Sequence, residues 1–143
     1  MSRAQLLFGA LVLAQAAHSV EEYVGRLWES LPPARWLSGL VSPDLATGFL
    51  ILNVSIFLIG AWAFLWPVRR TWPSARTFMW IWAIVEISNG LVHPGWSILQ
   101  RTYIPGTLTA PVLLVLGLML ARTLSRSAPS GAAAAPGVPA ARR

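Results

Sequence analysis

The sequence contains no cysteine and no lysine. Without cysteine, the chain can form no disulfide, no thiolate metal site and no cysteine nucleophile. Acidic residues are also scarce: five stand against eleven cations, all arginine, and charged residues make up only 11% of the 143 residues. A soluble domain typically carries about 25% charged residues. With 55% hydrophobic residues and a mean hydropathy of +0.59, the composition predicts a chain mostly embedded in lipid.

Four apolar segments follow one another along the chain. They run from about 4 to 24, 45 to 66, 76 to 99 and 106 to 120. Crossing a bilayer takes roughly 20 apolar residues. The second segment meets this length, the first and third meet it if their polar residues are tolerated, and the fourth is slightly short. We expect Pro67 to end the second segment and Pro94 to kink or end the third. The prediction is an all-α fold, a four-helix transmembrane bundle over residues 1–124.

The arginines indicate how such a bundle would be oriented. With the amino terminus in the cytoplasm, eight arginines fall inside and three outside, in agreement with the positive-inside rule. The inside set is Arg3, Arg69, Arg70, Arg76, Arg122, Arg126, Arg142 and Arg143. We therefore predict a multi-pass protein of the plasma (inner) membrane with both termini cytoplasmic. Because the arginines lie in short loops and at the ends, they indicate contact with lipid headgroups rather than with nucleic acid.

Two segments lie outside the predicted spans. The outer segment 25–44 contains apolar side chains that favour either an interfacial helix over the outer mouth or a loop resting on headgroups. The tail 125–143 is rich in Ala, Pro, Gly and Ser, and we predict that it is disordered.

The amino-terminal segment also has features of a secretory signal. A basic start and an apolar run precede Ala14-Gln15-Ala16, a small-residue triplet typical of cleavage sites. The apolar run continues through Val20, and the residues that follow pair chemically with the third segment. We therefore expect an uncleaved first span, and cleavage is the alternative.

Polar and ionisable residues form two stripes at helical spacing. The first segment contributes His18, Glu21 and Glu22, and the third contributes Glu86, Asn89 and His93. Residues three and four positions apart share a helix face. At about 1.5 Å per residue, both stripes and Asn53 of the second segment fall in the outer half of the bilayer. Because ionisable residues are costly in hydrocarbon and mark functional sites, the sequence predicts a buried metal or proton site.

A divalent cation would allow buried carboxylates to stay ionised beside neutral imidazoles. The predicted ligands are His18, Glu22, Glu86 and His93. Imidazole and carboxylate suit zinc, iron or manganese, and either one ion or a carboxylate-bridged pair fits the composition. Zinc with so few ligands could keep a water position open, with Glu22 or Glu21 as general base. Asn53 and Asn89 are predicted to hydrogen-bond the ligands or to contact substrate.

Three classes of function fit these residues. We favour an integral-membrane metalloenzyme that acts on a lipid or small apolar substrate, by hydrolysis or by oxidation. The chain has no P-loop, no Gly-rich dinucleotide turn and no Ser-His-Asp set. The alternatives are a metal-free, sterol-isomerase-like or lipid-binding bundle, and a proton-coupled carrier. With four spans, a carrier would have to form an oligomer.

The run His18-Ser19-Val20-Glu21-Glu22, followed by Tyr23, resembles the signature of the HXXEE-domain family of small membrane proteins. The likeness extends to Asn53, to the stripe that ends at His93 and to the Tyr103-Ile104-Pro105-Gly106 turn, and it covers about residues 6 to 120. The resemblance implies a functional polar site, to which it adds Tyr103 as a further contact of the ligands or the substrate. It implies no particular reaction.

Overall fold

The computed structural model of the chain describes residues 1–126, and these residues form helices without a strand. In chain order the elements are α1 (Arg3–Val24), α2 (Leu27–Ser30), α3 (Pro32–Val41), α4 (Leu45–Ala63), a π-helical turn (Phe64–Val68), α5 (Ala75–Gln100) and α6 (Ala110–Arg126). The predicted all-α class is confirmed for this part of the chain. The tail predicted to be disordered lies outside the described residues, except for Ser125 and Arg126, which belong to α6.

The helices pass through two prolines that were expected to end or kink them. Pro67 lies inside the π-helical turn, where the wider hydrogen-bond spacing joins the Arg69 N–H to the Phe64 carbonyl at 3.0 Å. Pro94 lies inside α5, which continues to Gln100. The predicted start of the fourth helix, at about residue 106, is too early in the chain. Residues 106–109 form a turn, and α6 begins at Ala110, so that Pro111 lies in the first helical turn, where no intrahelical donor is lost.

The outer segment between α1 and α4 is helical. Arg26, in the left-handed conformation with φ of 57°, separates α1 from α2. Pro32 starts α3, where its fixed φ suits the first helical position. Asp44 caps α4, because its carboxylate accepts a hydrogen bond from the Thr47 N–H at 3.1 Å. Of the two conformations left open by the sequence, the segment therefore adopts the helical one.

Glycines allow the closest helix contacts. A Cβ atom on Gly90 would lie 2.9 Å from the backbone of Leu114, and one on Gly117 would lie 2.9 Å from the Ile87 side chain. α5 and α6 consequently form the most extensive helix pair, while α1 packs on both α6 and α4. Gly60 likewise faces Trp82, whose ring would lie 2.7 Å from an added Cβ. The absence of a side chain at these three glycines therefore permits close packing of the helices.

One helix within residues 1–126 is both long enough and apolar enough to cross a membrane. It comprises α4 and the π-helical turn, Leu45–Val68. The helices α1 and α5 carry the polar stripes, and α6 has only 17 residues. Helix length and composition therefore give a coarse indication of membrane association, and the four-span topology stays a prediction.

Candidate metal centre

Three predicted ligands converge at the centre of the bundle. His18 and Glu22 lie on α1 and His93 lies on α5, and their exposed fractions are 0%, 7% and 2%. The Nε2 atom of each imidazole lies 3.2 Å from Oε1 of Glu22, and the three candidate ligand atoms all lie within 4.8 Å of one another. Tetrahedral zinc with bonds near 2.0 Å holds its ligand atoms about 3.3 Å apart. The spacing therefore suits a shared ion.

The tautomer of His93 follows from its hydrogen bond. Its Nδ1 atom lies 2.7 Å from the carbonyl oxygen of Pro105, in the turn before α6. A carbonyl can only accept, so Nδ1 carries the proton and donates it. In the neutral ring, Nε2 therefore presents a lone pair toward Glu22.

The tautomer of His18 follows from a two-step chain. The Thr109 hydroxyl donates to Oε2 of Glu21 at 2.6 Å, so the hydroxyl oxygen is left to accept. Nδ1 of His18 lies 2.7 Å from that oxygen and must therefore donate to it. Metal-binding histidines are commonly held in this way, with the second ring nitrogen donating to a carbonyl or a carboxylate-linked acceptor.

In neutral rings, these tautomers leave acceptor atoms facing one another. Both Nε2 lone pairs then point at one carboxylate oxygen, and no group within residues 1–126 donates a hydrogen bond to Nε2 of His18. Buried acceptors without a donor are costly, and a cation placed between them removes that cost. His18, Glu22 and His93 could thus hold a metal ion, and nitrogen and oxygen donors suit zinc, iron or manganese.

Glu86 does not join this group. Its buried carboxylate accepts a hydrogen bond from Nδ2 of Asn89 at 3.2 Å. With the Gln15 amide oriented so that its nitrogen faces Glu86, that nitrogen donates to Oε2 at 2.7 Å. Polar neutral partners, rather than the imidazoles, therefore surround the Glu86 carboxylate. The geometry does not support the ligand role predicted for Glu86.

Glu21 faces away from the metal ligands and holds the turn before α6. Its Oε1 accepts from the Tyr103 hydroxyl at 2.6 Å and from the backbone N–H groups of Gly106 and Leu108 at 2.9 and 3.0 Å. Its Oε2 accepts from both the N–H and the hydroxyl of Thr109. With five donors around one carboxylate, Glu21 positions the turn that fixes both imidazoles. This geometry gives no support to the catalytic role predicted for Glu21.

Tyr103 contacts Glu21 rather than a ligand. Desolvation and the hydrogen bond to Glu21 raise the pKa of Tyr103 to about 12. Its hydroxyl therefore remains a donor at neutral pH, and it supports the turn from outside the ligand group.

Gly106 brings the turn against both imidazoles. Its φ of +95° favours glycine, because a side chain is strained in this conformation. A Cβ atom at this position would lie 2.5 Å from Nδ1 of His93 and 2.8 Å from Cε1 of His18. The absence of a side chain thus leaves room for the two rings.

The two asparagines lie beside the ligands. Asn53 of α4 accepts a hydrogen bond from Ser19 at 2.6 Å and donates to the Phe49 carbonyl. Both Asn53 and Asn89 line a cavity of about 440 Å³ that also reaches Glu22 and His93. They are placed to contact a ligand in that cavity rather than to bond the imidazoles.

Two contributors to the site were missed in the sequence. Gln15 precedes His18 by three residues and Glu22 by seven, so helical spacing alone places it on the same face. The Pro105 carbonyl gives no sequence signal, because every residue carries one.

The comparison with known proteins identifies a family. No curated protein and no solved structure matches the chain. A family model described as "protein of unknown function with HXXEE motif" matches residues 9–120, most of the described chain. The motif letters fall on His18, Glu21 and Glu22, two candidate ligands and the residue that holds the turn. The chain belongs to the HXXEE family.

Proposed function

We propose that this chain is a membrane-embedded metalloenzyme in which His18, Glu22 and His93 hold one divalent ion. Its substrate class is a lipid or a small apolar molecule. The observation that carries the proposal is that the Nε2 atoms of two buried imidazoles, each of which donates from its Nδ1, lie 3.2 Å from a single oxygen of Glu22. With neutral rings, such an arrangement is costly without a cation and ordinary around a metal.

The distribution of polarity supports a location in the bilayer. His18 and Glu86 are fully buried, whereas Leu13, Val20 and Leu91 on the same helices are 67%, 63% and 59% exposed. Polar interior and apolar exterior is the pattern of helices in lipid, where ionisable residues face the bundle. We therefore keep the four-span topology, with α1, α4, α5 and α6 as spans and both termini cytoplasmic.

The metal ion and the residues around it would have different roles in the reaction. A bound zinc ion would supply a Lewis acid and a water of lowered pKa, whereas iron or manganese would favour oxidation. The Nδ1 hydrogen bonds of His18 and His93 orient both rings before any substrate arrives. Glu22 also lines the cavity, and its Oε2 accepts no hydrogen bond from residues 1–126, so this oxygen is available as a proton acceptor.

Elemental analysis of tag-free protein purified in detergent tests the proposal. We expect about one zinc, iron or manganese ion per chain. The variants H18A, E22Q and H93A should lose most of it, because each removes one of three ligands. Glu86→Gln is the matched control, since its carboxylate lies outside the group and it should keep the metal.

Two results would contradict this assignment. One is wild-type protein without stoichiometric metal, which would leave a metal-free His–Glu pair as the functional site. The other is loss of metal in Glu86→Gln as complete as in E22Q, which would make Glu86 a ligand after all.

A further inference from the structure

A cavity of about 440 Å³ lies beside the candidate metal ligands. Residues from α1, α3, α4 and α5 line it, and most of them are apolar. Small-molecule sites occupy roughly 300–1,000 Å³, so the volume suits one slender ligand better than a two-chain phospholipid.

The cavity exists because α4 and α5 do not pack side by side. α4 pairs with α1 and α3, and α5 pairs with α6. α4 and α5 meet at the π-helical turn and near it, where the Trp82 ring lies against Gly60, and they diverge beyond that point. Ile56 of α4 and Val85 of α5 line the cavity and are also 39% and 47% exposed. The space therefore opens sideways between these two helices, toward the surroundings of the bundle.

The outer helix α3 covers the cavity. Pro33, Ala34 and Leu37 line it from above, while Trp36 on another face of α3 is 64% exposed. α3 is held on α4 by a close approach at Gly48, whose added Cβ would clash with the Ser38 carbonyl. A ligand would thus enter laterally and lie beneath α3.

Part of the cavity wall is polar. Glu22, His93, Asn53 and Asn89 contribute to it. Each asparagine amide nitrogen donates one hydrogen within the protein, to Phe49 or to Glu86, and its second hydrogen has no acceptor among residues 1–126. Free amide donors favour a head that carries acceptor oxygens over a cationic head, which offers no acceptor.

We propose that this cavity binds a single-chain acyl lipid. Its carboxyl or ester oxygens would lie against the polar part of the cavity wall, and its chain would lie between α4 and α5. That this lipid is the substrate rests on the proposed function, whereas its binding site does not. A fatty acid and a monoacylglycerol share the required chemistry.

Photolabelling of the full chain in nanodiscs tests this site. The probes are a fatty acid and a monoacylglycerol, each with a mid-chain diazirine, and an alkylammonium of equal length as the cationic control. We expect labelled peptides from α4 and α5, with the two acyl probes labelling more than the ammonium probe. The ratio between the two acyl probes tells which head is preferred.

A matched pair of variants locates the site. Val85→Trp fills the cavity and should lower acyl labelling by about tenfold. Ile84→Trp changes the neighbouring residue, which is 58% exposed and lines none of the described cavities. The acyl probes should label this variant as strongly as the wild type. Both variants should keep the wild-type metal content, because neither touches a ligand.

The outcomes separate the two proposals. Equal labelling of V85W and I84W, or labelling centred on Leu50 and Phe57 at a separate cavity of about 230 Å³, overturns the lipid site. Labelling by the ammonium probe as strong as that of the acyl probes overturns the assignment of the head. Metal-free wild type with V85W-sensitive labelling supports the lipid site and contradicts the metal.

Discussion

At the scale of single residues, the motif combines two kinds of side chain. His18 and Glu22 present ligand atoms, whereas Glu21 holds the turn that orients the imidazoles. Helical spacing predicted the first pair, because residues four apart share a face. It could not separate Glu21 from Glu22, since adjacent positions differ by about 100° and either can face inward.

Glu86 shows why a stripe on one face need not form one site. Seven residues separate it from His93, a rise of about 10.5 Å along α5. Atoms that bind one ion lie only about 3.3 Å apart, so a shared face does not by itself bring residues two turns apart to one ion. Instead, Glu86 lies at the level of Gln15 on α1 and pairs with it. To predict the contact between Glu86 and Gln15, the position of each residue along its helix has to be compared, in addition to the face that it occupies.

Gly106→Ala tests the turn that contacts both imidazoles. An added Cβ would displace the His93 and His18 rings and strain a residue with φ of +95°, so we expect loss of most metal and about 1–3 kcal/mol of stability. Elemental analysis and thermal unfolding in detergent measure both.

Gly95→Ala is the control for that variant, because nothing lies within 4 Å of its added Cβ. It should keep its metal and be neutral or more stable by up to about 1 kcal/mol, as alanine is the better helix former. Full metal occupancy in Gly106→Ala would show that the turn does not position the rings.

At the scale of helices, the sequence predicted which helices form better than where each helix begins and ends. The four long apolar segments all contain long helices, but Pro67 and Pro94 did not act as stops and α6 begins four residues late. The π-helical turn explains the first difference, since its wider hydrogen-bond spacing accommodates a residue without an N–H. The late start of α6 follows from Glu21, whose carboxylate takes up N–H groups of the preceding turn. A distant carboxylate that caps a turn leaves no local sequence pattern.

Gly48→Ala tests the docking of α3 on α4. The added Cβ would clash with the Ser38 carbonyl, so α3 should separate from α4 and its amides should exchange hydrogen faster. Gly39→Ala on α3 is the control, because its added Cβ would make only an ordinary contact with Leu45 at 3.6 Å. Hydrogen exchange with mass spectrometry compares the two. Unchanged protection of α3 in Gly48→Ala would mean that this contact does not hold the helix.

At the scale of the whole molecule, burial differs from that of a soluble bundle. Ionisable side chains such as His18, Glu22 and Glu86 are buried beside an apolar core, and many large apolar side chains are exposed. Composition alone predicted lipid surroundings, but it could not show that the polar stripes of α1 and α5 face inward. Within residues 1–126, only α4 with its π-helical turn is apolar enough by itself to cross a membrane, because the other long helices carry the site or are short.

The absence of cysteine makes the four-span topology directly testable. Single cysteines at Ser42 and Thr102 should react with a membrane-impermeant maleimide added outside intact cells. A cysteine at Ser74 should react only after permeabilisation, because it lies in the loop expected inside. Equal labelling of S42C and S74C in intact cells would rule out four spans with cytoplasmic termini.

X-ray absorption at the edge of the bound metal tests the central claim most directly, since the chain has only two histidines and no cysteine. We expect a shell of nitrogen and oxygen at about 2.0–2.2 Å with two imidazoles. One imidazole should remain in residual metal bound to H18A or H93A, and two in E86Q. A shell without imidazole, or one unchanged in both histidine variants, would contradict a metal held by His18, Glu22 and His93.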